Sequence, residues 1–144
     1  MRYLIVDGHS VIFAWPELRL QHGRRTGAAR DELVRQLTAY QDASGIRVVA
    51  VFDGKGVKPN EATEPGGIQI FYSRAGQPAD LIIERLVAIY AKEHDITVVT
   101  DDSMERQTAL TFGAMTMSTE ILRDVLADAG RDLSRRLRDH RRRS

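Results

Sequence analysis

Cysteine is absent from the 144-residue chain, which excludes disulfides, thiolate zinc sites and cysteine nucleophiles. No apolar run approaches the roughly 20 residues of a membrane span. The chain opens directly on a strand-like segment, with no secretory signal ahead of it, so a soluble cytoplasmic protein is the expectation. There is no Walker loop and no G-x-G-x-x-G dinucleotide fingerprint. His9, His22, His94 and His140 show no zinc spacing. Asp7, His9 and Ser10 are too close in sequence for a nucleophilic triad, and no nucleophile elbow accompanies them.

What is present has the size of a single domain, able to bury roughly 68–70% of its unfolded surface without covalent staples. Net charge is only +1, but it is unevenly placed. The segment Arg131–Ser144 holds seven Arg against Asp132 and Asp139, a balance of +5, which leaves residues 1–130 at −4. The chain therefore divides into a body, 1–130, and an Arg-rich helix end or tail, 131–144. An acidic body with a basic arm fits a cation-binding pocket beside a polyanion-binding surface that includes Arg135 and Arg136. A merely solubilising tail is the alternative.

Short apolar runs alternate with longer segments of helical period, the pattern of βαβ units and a parallel sheet. Strands are expected at Arg2–Val6, Arg47–Phe52, Ile68–Tyr72, Ile96–Thr100 and Ala114–Met117. Helices are expected over about Ala29–Ala43, Ala79–Glu93 and Ser103–Phe112. A last helix begins near Ser118, a candidate N-cap, and its turns beyond Gly130 are expected to fray or bend. Leu33, Val34, Leu37 and Tyr40 make a buried stripe on the first helix, which Ser44-Gly45 stops. Residues 54 to 67, rich in Gly and Pro, read as a long loop. Its Lys55 and Lys58 are candidate RNA contacts.

The acids are the informative feature. Asp7, followed by Gly8 for a tight turn, closes the first strand. Asp53 closes the second, Asp102 follows the fourth, and Asp80 opens a helix. Function in parallel sheets collects beyond the carboxyl ends of the strands. Carboxylates sharing one crevice repel unless a cation neutralises them, and oxygen donors select a hard ion such as Mg²⁺ or Mn²⁺. The pattern points to metal-dependent phosphodiester chemistry. Glu84 lies four residues after Asp80 on the same helix face, where a metal or a basic side chain such as Arg85 would relieve the repulsion. Of Asp101 and Asp102, one is expected to face the crevice and the other to cap a helix. His22 falls in a basic loop with Arg19, Arg24, Arg25 and Arg30, suited to phosphates. Trp15, just upstream, either stacks a base or belongs to the core.

Several segments together resemble the YacP-like branch of the NYN domains, within the PIN-like nuclease superfamily. They are Asp7-Gly8-His9-Ser10, Ala14-Trp15-Pro16-Glu17-Leu18, Ala29-Arg30-Asp31, Val51-Phe52-Asp53, Ala79-Asp80, Thr100-Asp101-Asp102 and Met117-Ser118. The resemblance runs from about Arg2 to Leu126. It implies a three-layer α/β/α sandwich around a mainly parallel sheet. It also implies an acidic pocket binding Mg²⁺ or Mn²⁺ through Asp7, Asp53, Asp80 and Asp102, and endoribonuclease activity on messenger RNA at the ribosome. Two positions depart from the family pattern. His9-Ser10 stands where a Tyr-Asn pair is usual, although Ser there orients the first acid or a metal water in the wider superfamily. Asp101-Asp102 replaces Ser-Asp and adds a negative charge.

The leading expectation is thus a metal-dependent endoribonuclease acting on single-stranded RNA. Asp7, Asp80 and Asp102 would hold the metal, with Asp53 direct or through water, and Ser10, Glu84 and Asp101 would be accessory. A non-catalytic PIN-like module docking on RNA or the ribosome is the alternative, but a polyanion binder gains nothing from a negative pocket. A phosphatase on an α/β sheet is disfavoured by the lack of a phosphate-cradling loop and of a D-x-D pair.

Overall fold

A computed structural model describes residues 1–54, 61–63, 67–74 and 77–143, and of residues 26, 61–63 and 143 the backbone only. The elements run β1 (Arg2–Asp7), α1 (Gly8–Ala14), α2 (Pro16–Arg24), α3 (Thr26–Ser44), β2 (Arg47–Phe52), β3 (Glu61–Thr63), β4 (Gln69–Tyr72), α4 (Asp80–Tyr90), β5 (Asp95–Val99), α5 (Ser103–Thr111), β6 (Met115–Met117) and α6 (Thr119–Arg143).

The six strands form one sheet in the order β3-β4-β2-β1-β5-β6. Five are parallel, and only β3 runs antiparallel, against β4 on the edge. Period-2 alternation along the central strands feeds two separate cores. Leu4, Val6, Val48, Ala50 and Phe52 face Val11, Trp15, Leu18, Leu33, Leu37 and Leu122 from α1, α2, α3, α6 and the α1–α2 junction. Ile5, Val49, Val51, Ile96 and Val98 face Ile83, Val87 and Ala109 from α4 and α5. The result is the expected α/β/α sandwich, and apolar residues on both faces explain why its central strands read as continuous apolar runs.

The structure departs from the sequence pattern in three places. Helices α1 and α2 fill the segment expected to be loop, so His22 and its basic neighbours Arg19 and Arg24 lie on a helix. α1 has seven residues and α2 buries only Leu18, so neither carries an extended apolar stripe. Their start signals are nonetheless present: Asp7 caps α1, and Pro16 occupies the first turn of α2. Second, strand β3 interrupts the expected 54–67 loop; Lys55 and Lys58 lie outside the described residues. Third, α6 continues as helix through Gly130 to Arg143, and every described residue from 130 to 142 is exposed. At its start Ser118 Oγ accepts from Ile121 N at 3.1 Å, the cap expected there. Among the described residues no helix is long and apolar enough to cross a membrane.

Gly8 and Gly54 are required by close approach rather than by positive φ. A Cβ on Gly8 would lie 2.4 Å from the Phe52 ring. One on Gly54 would lie 1.6 Å from the Ser73 carbonyl oxygen. Both glycines thus let the carboxyl ends of β1, β2 and β4 close together at the edge where the acids gather.

Candidate active site

Chain direction across the sheet reverses at β1. The chain moves from β1 outward to β2 and β4, then returns to β5 on the other side. The carboxyl ends of β1 and β5 therefore flank a topological switch point, where open α/β sheets place ligands. Asp7 ends β1, and Thr100-Asp101-Asp102 leave β5.

Asp7 is 7% exposed. Its Oδ2 accepts from Ser10 Oγ at 2.8 Å and from Thr100 Oγ1 at 3.1 Å. Thr100 Oγ1 also lies 3.2 Å from Glu105 Oε2 and accepts from Asp102 N at 3.1 Å. A hydroxyl carries one proton. If Thr100 gives it to Asp7, the Glu105 oxygen needs a proton of its own. Glu105, 5% exposed, has one: burial, followed by the negative charges of Asp7 and Asp80, pushes its carboxyl up to about 9. At neutral pH a proton-bearing Glu105 donates to Thr100, and Thr100 donates to Asp7.

Glu105 was not among the acids singled out from the sequence. The available signal was its place three residues after Asp102, the capping-box spacing. That motif sends the glutamate back to the N-cap amide; here the side chain turns to Thr100 instead.

Asp102 caps α5, its Oδ1 accepting from Met104 N at 2.9 Å and Glu105 N at 3.2 Å. Among the described residues its Oδ2 is uncommitted. Asp101 points elsewhere: its two oxygens accept from Thr119 N at 3.0 Å and Thr119 Oγ1 at 2.6 Å, tying the end of β5 to α6. Asp80, in the first turn of α4, presents a buried Oδ1 without a hydrogen-bond partner among the described residues. Glu84 follows one turn later, half-buried, outside the Asp7 hydrogen-bond chain.

Asp53 stands apart from this chain. Its Oδ1 accepts from Ala79 N at 3.0 Å, which fixes the start of α4 and so the backbone of Asp80. Its Oδ2 lies 3.6 Å from His9 Nδ1. Trp15 resolves to the core: it is 3% exposed, and Nε1 donates to Thr119 O at 3.1 Å. Arg19, Arg24, Arg25, Arg135 and Arg136 are exposed, and Arg30 packs over the Tyr72 ring.

The donor set fits a hard cation in kind, being all carboxylate and hydroxyl oxygen. Two buried carboxylate oxygens, Asp80 Oδ1 and Glu105 Oε1, lack partners among the described residues, and Glu105 is held protonated first by burial and then by the negative charge of Asp7. The grouping is not closed: among the described residues no three acidic or histidine side chains converge tightly enough to form a metal cage. Asp7 is held toward Ser10 and Thr100, and Asp53 toward Ala79 and His9.

A sequence model of the YacP-like NYN domain matches residues 4–144, beyond Leu126 and through the Arg-rich end of α6. Bacillus subtilis (strain 168) "Uncharacterized protein YacP" is 34% identical over 128 residues, spanning 87% of this chain and 75% of that protein. A crystal structure of Rae1 (YacP) from Bacillus subtilis superposes with a TM-score of 0.80 at 31% identity, covering 96% of this chain and 81% of that one. A single-site mutant of the same protein gives a TM-score of 0.80 at 28% identity, over 95% and 81% of the two chains.

Proposed function

This chain belongs to the YacP-like NYN domain family, PIN-like nuclease domains, and on that footing we propose that it is a metal-dependent endoribonuclease cutting single-stranded RNA, with messenger RNA on the ribosome as its substrate. One observation carries the reading: at the switch point of the sheet Asp7 and buried Glu105 share the Thr100 hydroxyl, Asp102 caps the helix that carries Glu105, and Asp80 and Glu105 each keep a buried oxygen without a hydrogen-bond partner among the described residues. A polyanion-binding surface has no use for these acids, whereas a phosphodiesterase uses them to hold a divalent ion.

Asp7, Asp80 and Asp102 are the residues that would hold Mg²⁺ or Mn²⁺, with Asp53 acting directly or through water. When bound, such an ion lowers the pKa of a water and offsets charge on the scissile phosphate. The remaining work falls to the chain itself. Ser10 and Thr100 fix the Asp7 carboxylate from two sides. Asp53 sets the register of α4, which aims Asp80. Glu105 holds a proton on its carboxyl and hydrogen-bonds Thr100 Oγ1 through Oε2, which keeps the Thr100 proton directed at Asp7. The exposed arginines of α6 and of α2 offer a track for the RNA backbone.

The test is cleavage of a messenger in a translation extract containing Mg²⁺, wild type against Asp7→Asn, with the same RNA free of ribosomes alongside. New 5′ ends made only by wild type and only on translated RNA are expected. Cuts in both RNA samples would leave a general endoribonuclease. Identical patterns for wild type and variant would replace the reading with a non-catalytic RNA or ribosome binder.

A further inference from the structure

Beside the acids, on the β2 side of the switch point, lies a cavity of about 140 Å³ lined by His9, Phe13, His22, Arg30, Phe52 and Asp53. Rings dominate it. His9 and Phe13 sit 4.5 Å apart between centroids, and Phe13 meets His22 edge-on at 4.9 Å. Phe52 stacks on Tyr72 at 5.8 Å, and the Arg30 guanidinium covers Tyr72 at 5.7 Å. Two features mark the cavity as more than core. Phe13 remains 42% exposed, and the His9 side chain 60% exposed. His22 carries a buried ring nitrogen, Nδ1, with no hydrogen-bond partner among the described residues.

We propose that this cavity is a nucleobase subsite, which receives one unpaired base of an RNA strand adjacent to the phosphate held at the acids; the assignment rests on the nuclease reading above for its register, though not for its chemistry. Unstacked RNA bases are recognised by stacking on aromatic rings and guanidinium planes, with hydrogen bonds to their edges. Phe13 and His9 supply the stacking surface. The Asp53 carboxylate and the Arg30 guanidinium supply acceptor and donor groups at the rim. A dry cavity of about 150 Å³ takes one aromatic ring, so the space fits a single base and not a stacked pair. Its place is set by the chain. His9 is two residues from Asp7, and Asp53 reaches both His9 and the amide preceding Asp80. A strand whose phosphate lies at Asp7 and Asp80 thus passes a neighbouring base over Phe13. The stacking residue is Phe13, on the exposed side of α1, and not Trp15, which points into the core.

The test is equilibrium binding of a short, fluorescent, mixed-sequence single-stranded RNA in EDTA, where binding is read without cleavage. Wild type is compared with Phe13→Ala and Phe13→Leu, the second keeping apolar bulk without a ring, and with Phe13→Tyr, which keeps the ring. Loss of one base–ring stack weakens binding by about five- to a hundredfold. Phe13→Ala and Phe13→Leu are expected to show that loss and Phe13→Tyr to restore wild-type affinity. The loss should persist at high salt, since stacking, unlike a phosphate contact, is not screened. A folded Phe13→Leu protein that binds within twofold of wild type would overturn the subsite. Cleavage by wild type in Mg²⁺ is scored separately. A Phe13 effect on binding without any wild-type cleavage keeps the base subsite and removes the nuclease reading. Cleavage with no Phe13 effect on binding does the reverse.

Discussion

Glu105 and Asp7 share one hydroxyl: Thr100 Oγ1 stands 3.2 Å from an oxygen of the first and 3.1 Å from an oxygen of the second. Two buried carboxylates on one proton donor cannot both be charged without a large penalty. The fold resolves this by leaving Glu105 protonated, up to about 9, and that state governs how the site responds to pH and to cations.

The first consequence is for stability against pH, in the absence of divalent ions. Glu105 binds its proton more tightly folded than unfolded, so the folded state holds more protons between about 4.5 and about 9. Stability therefore falls as pH rises through that window and levels off above it. Glu105→Gln keeps the shape without the titration. Thermal melts across pH in EDTA should show a downward slope for wild type that is flattened in the variant. Equal slopes for the two proteins would contradict the protonated state.

Cation binding should then release a proton. Mg²⁺ or Mn²⁺ held by Asp7, Asp80 and Asp102, as proposed, would lower the pKa of Glu105, since metal binding to carboxylates is linked to deprotonation. Calorimetric titration at neutral pH in two buffers of different ionisation enthalpy should give heats that differ by close to one proton per ion. The difference should vanish in Glu105→Gln. Heats independent of buffer in the wild type would show that Glu105 is not coupled to the ion.

Thr100→Val removes the shared hydroxyl while preserving branched bulk. Groups that orient ligating carboxylates are worth about 10–100-fold in metal affinity or activity, and a loss in that range is expected for RNA cleavage and for the midpoint of its Mg²⁺ dependence. Asp7→Asn and Asp80→Asn should go further and abolish cleavage with circular dichroism unchanged. Full cleavage by both would end the assignment of the site.

Asp101 and Asp102 are neighbours with different expected phenotypes. Asp101 spends both oxygens on Thr119, so Asp101→Ala should cost about 1–3 kcal/mol in stability through unsatisfied partners, with cleavage retained at temperatures where the protein is folded. Asp102→Ala loses a cap worth about 1 kcal/mol and should in addition lose cleavage. Denaturant midpoints and initial rates on the same preparations separate the two effects. Comparable loss of activity in both would place Asp101 in the pocket.

Gly54→Ala places a methyl 1.6 Å from the Ser73 carbonyl oxygen, which belongs to backbone and cannot swing aside. Overpacking of this kind costs about 1–3 kcal/mol. A lower thermal midpoint is expected, and an unchanged one would mean that β2 and β4 part more easily at that edge than their hydrogen bonds indicate.

Sequence alone determined the strand–helix alternation, the sheet's parallel character and three strand ends carrying acids, because two-faced burial writes continuous apolar runs at Leu4–Val6 and Val48–Phe52 and strand ends write Asp7 and Asp53 at the breaks. It also held the family resemblance. It did not contain the short helices α1 and α2, whose stability comes from packing a few residues onto the sheet and not from a periodic stripe. Nor did it separate Asp101 from Asp102, since both follow the same strand and only the position of Thr119, 18 residues on, claims the first. Tertiary structure alone brought Glu105 against Asp7, across about a hundred residues of chain. It alone exposed Phe13 while burying Trp15, two residues away. Burial and the meeting of like charges depend on which elements pack together, and no local pattern of residue types records that.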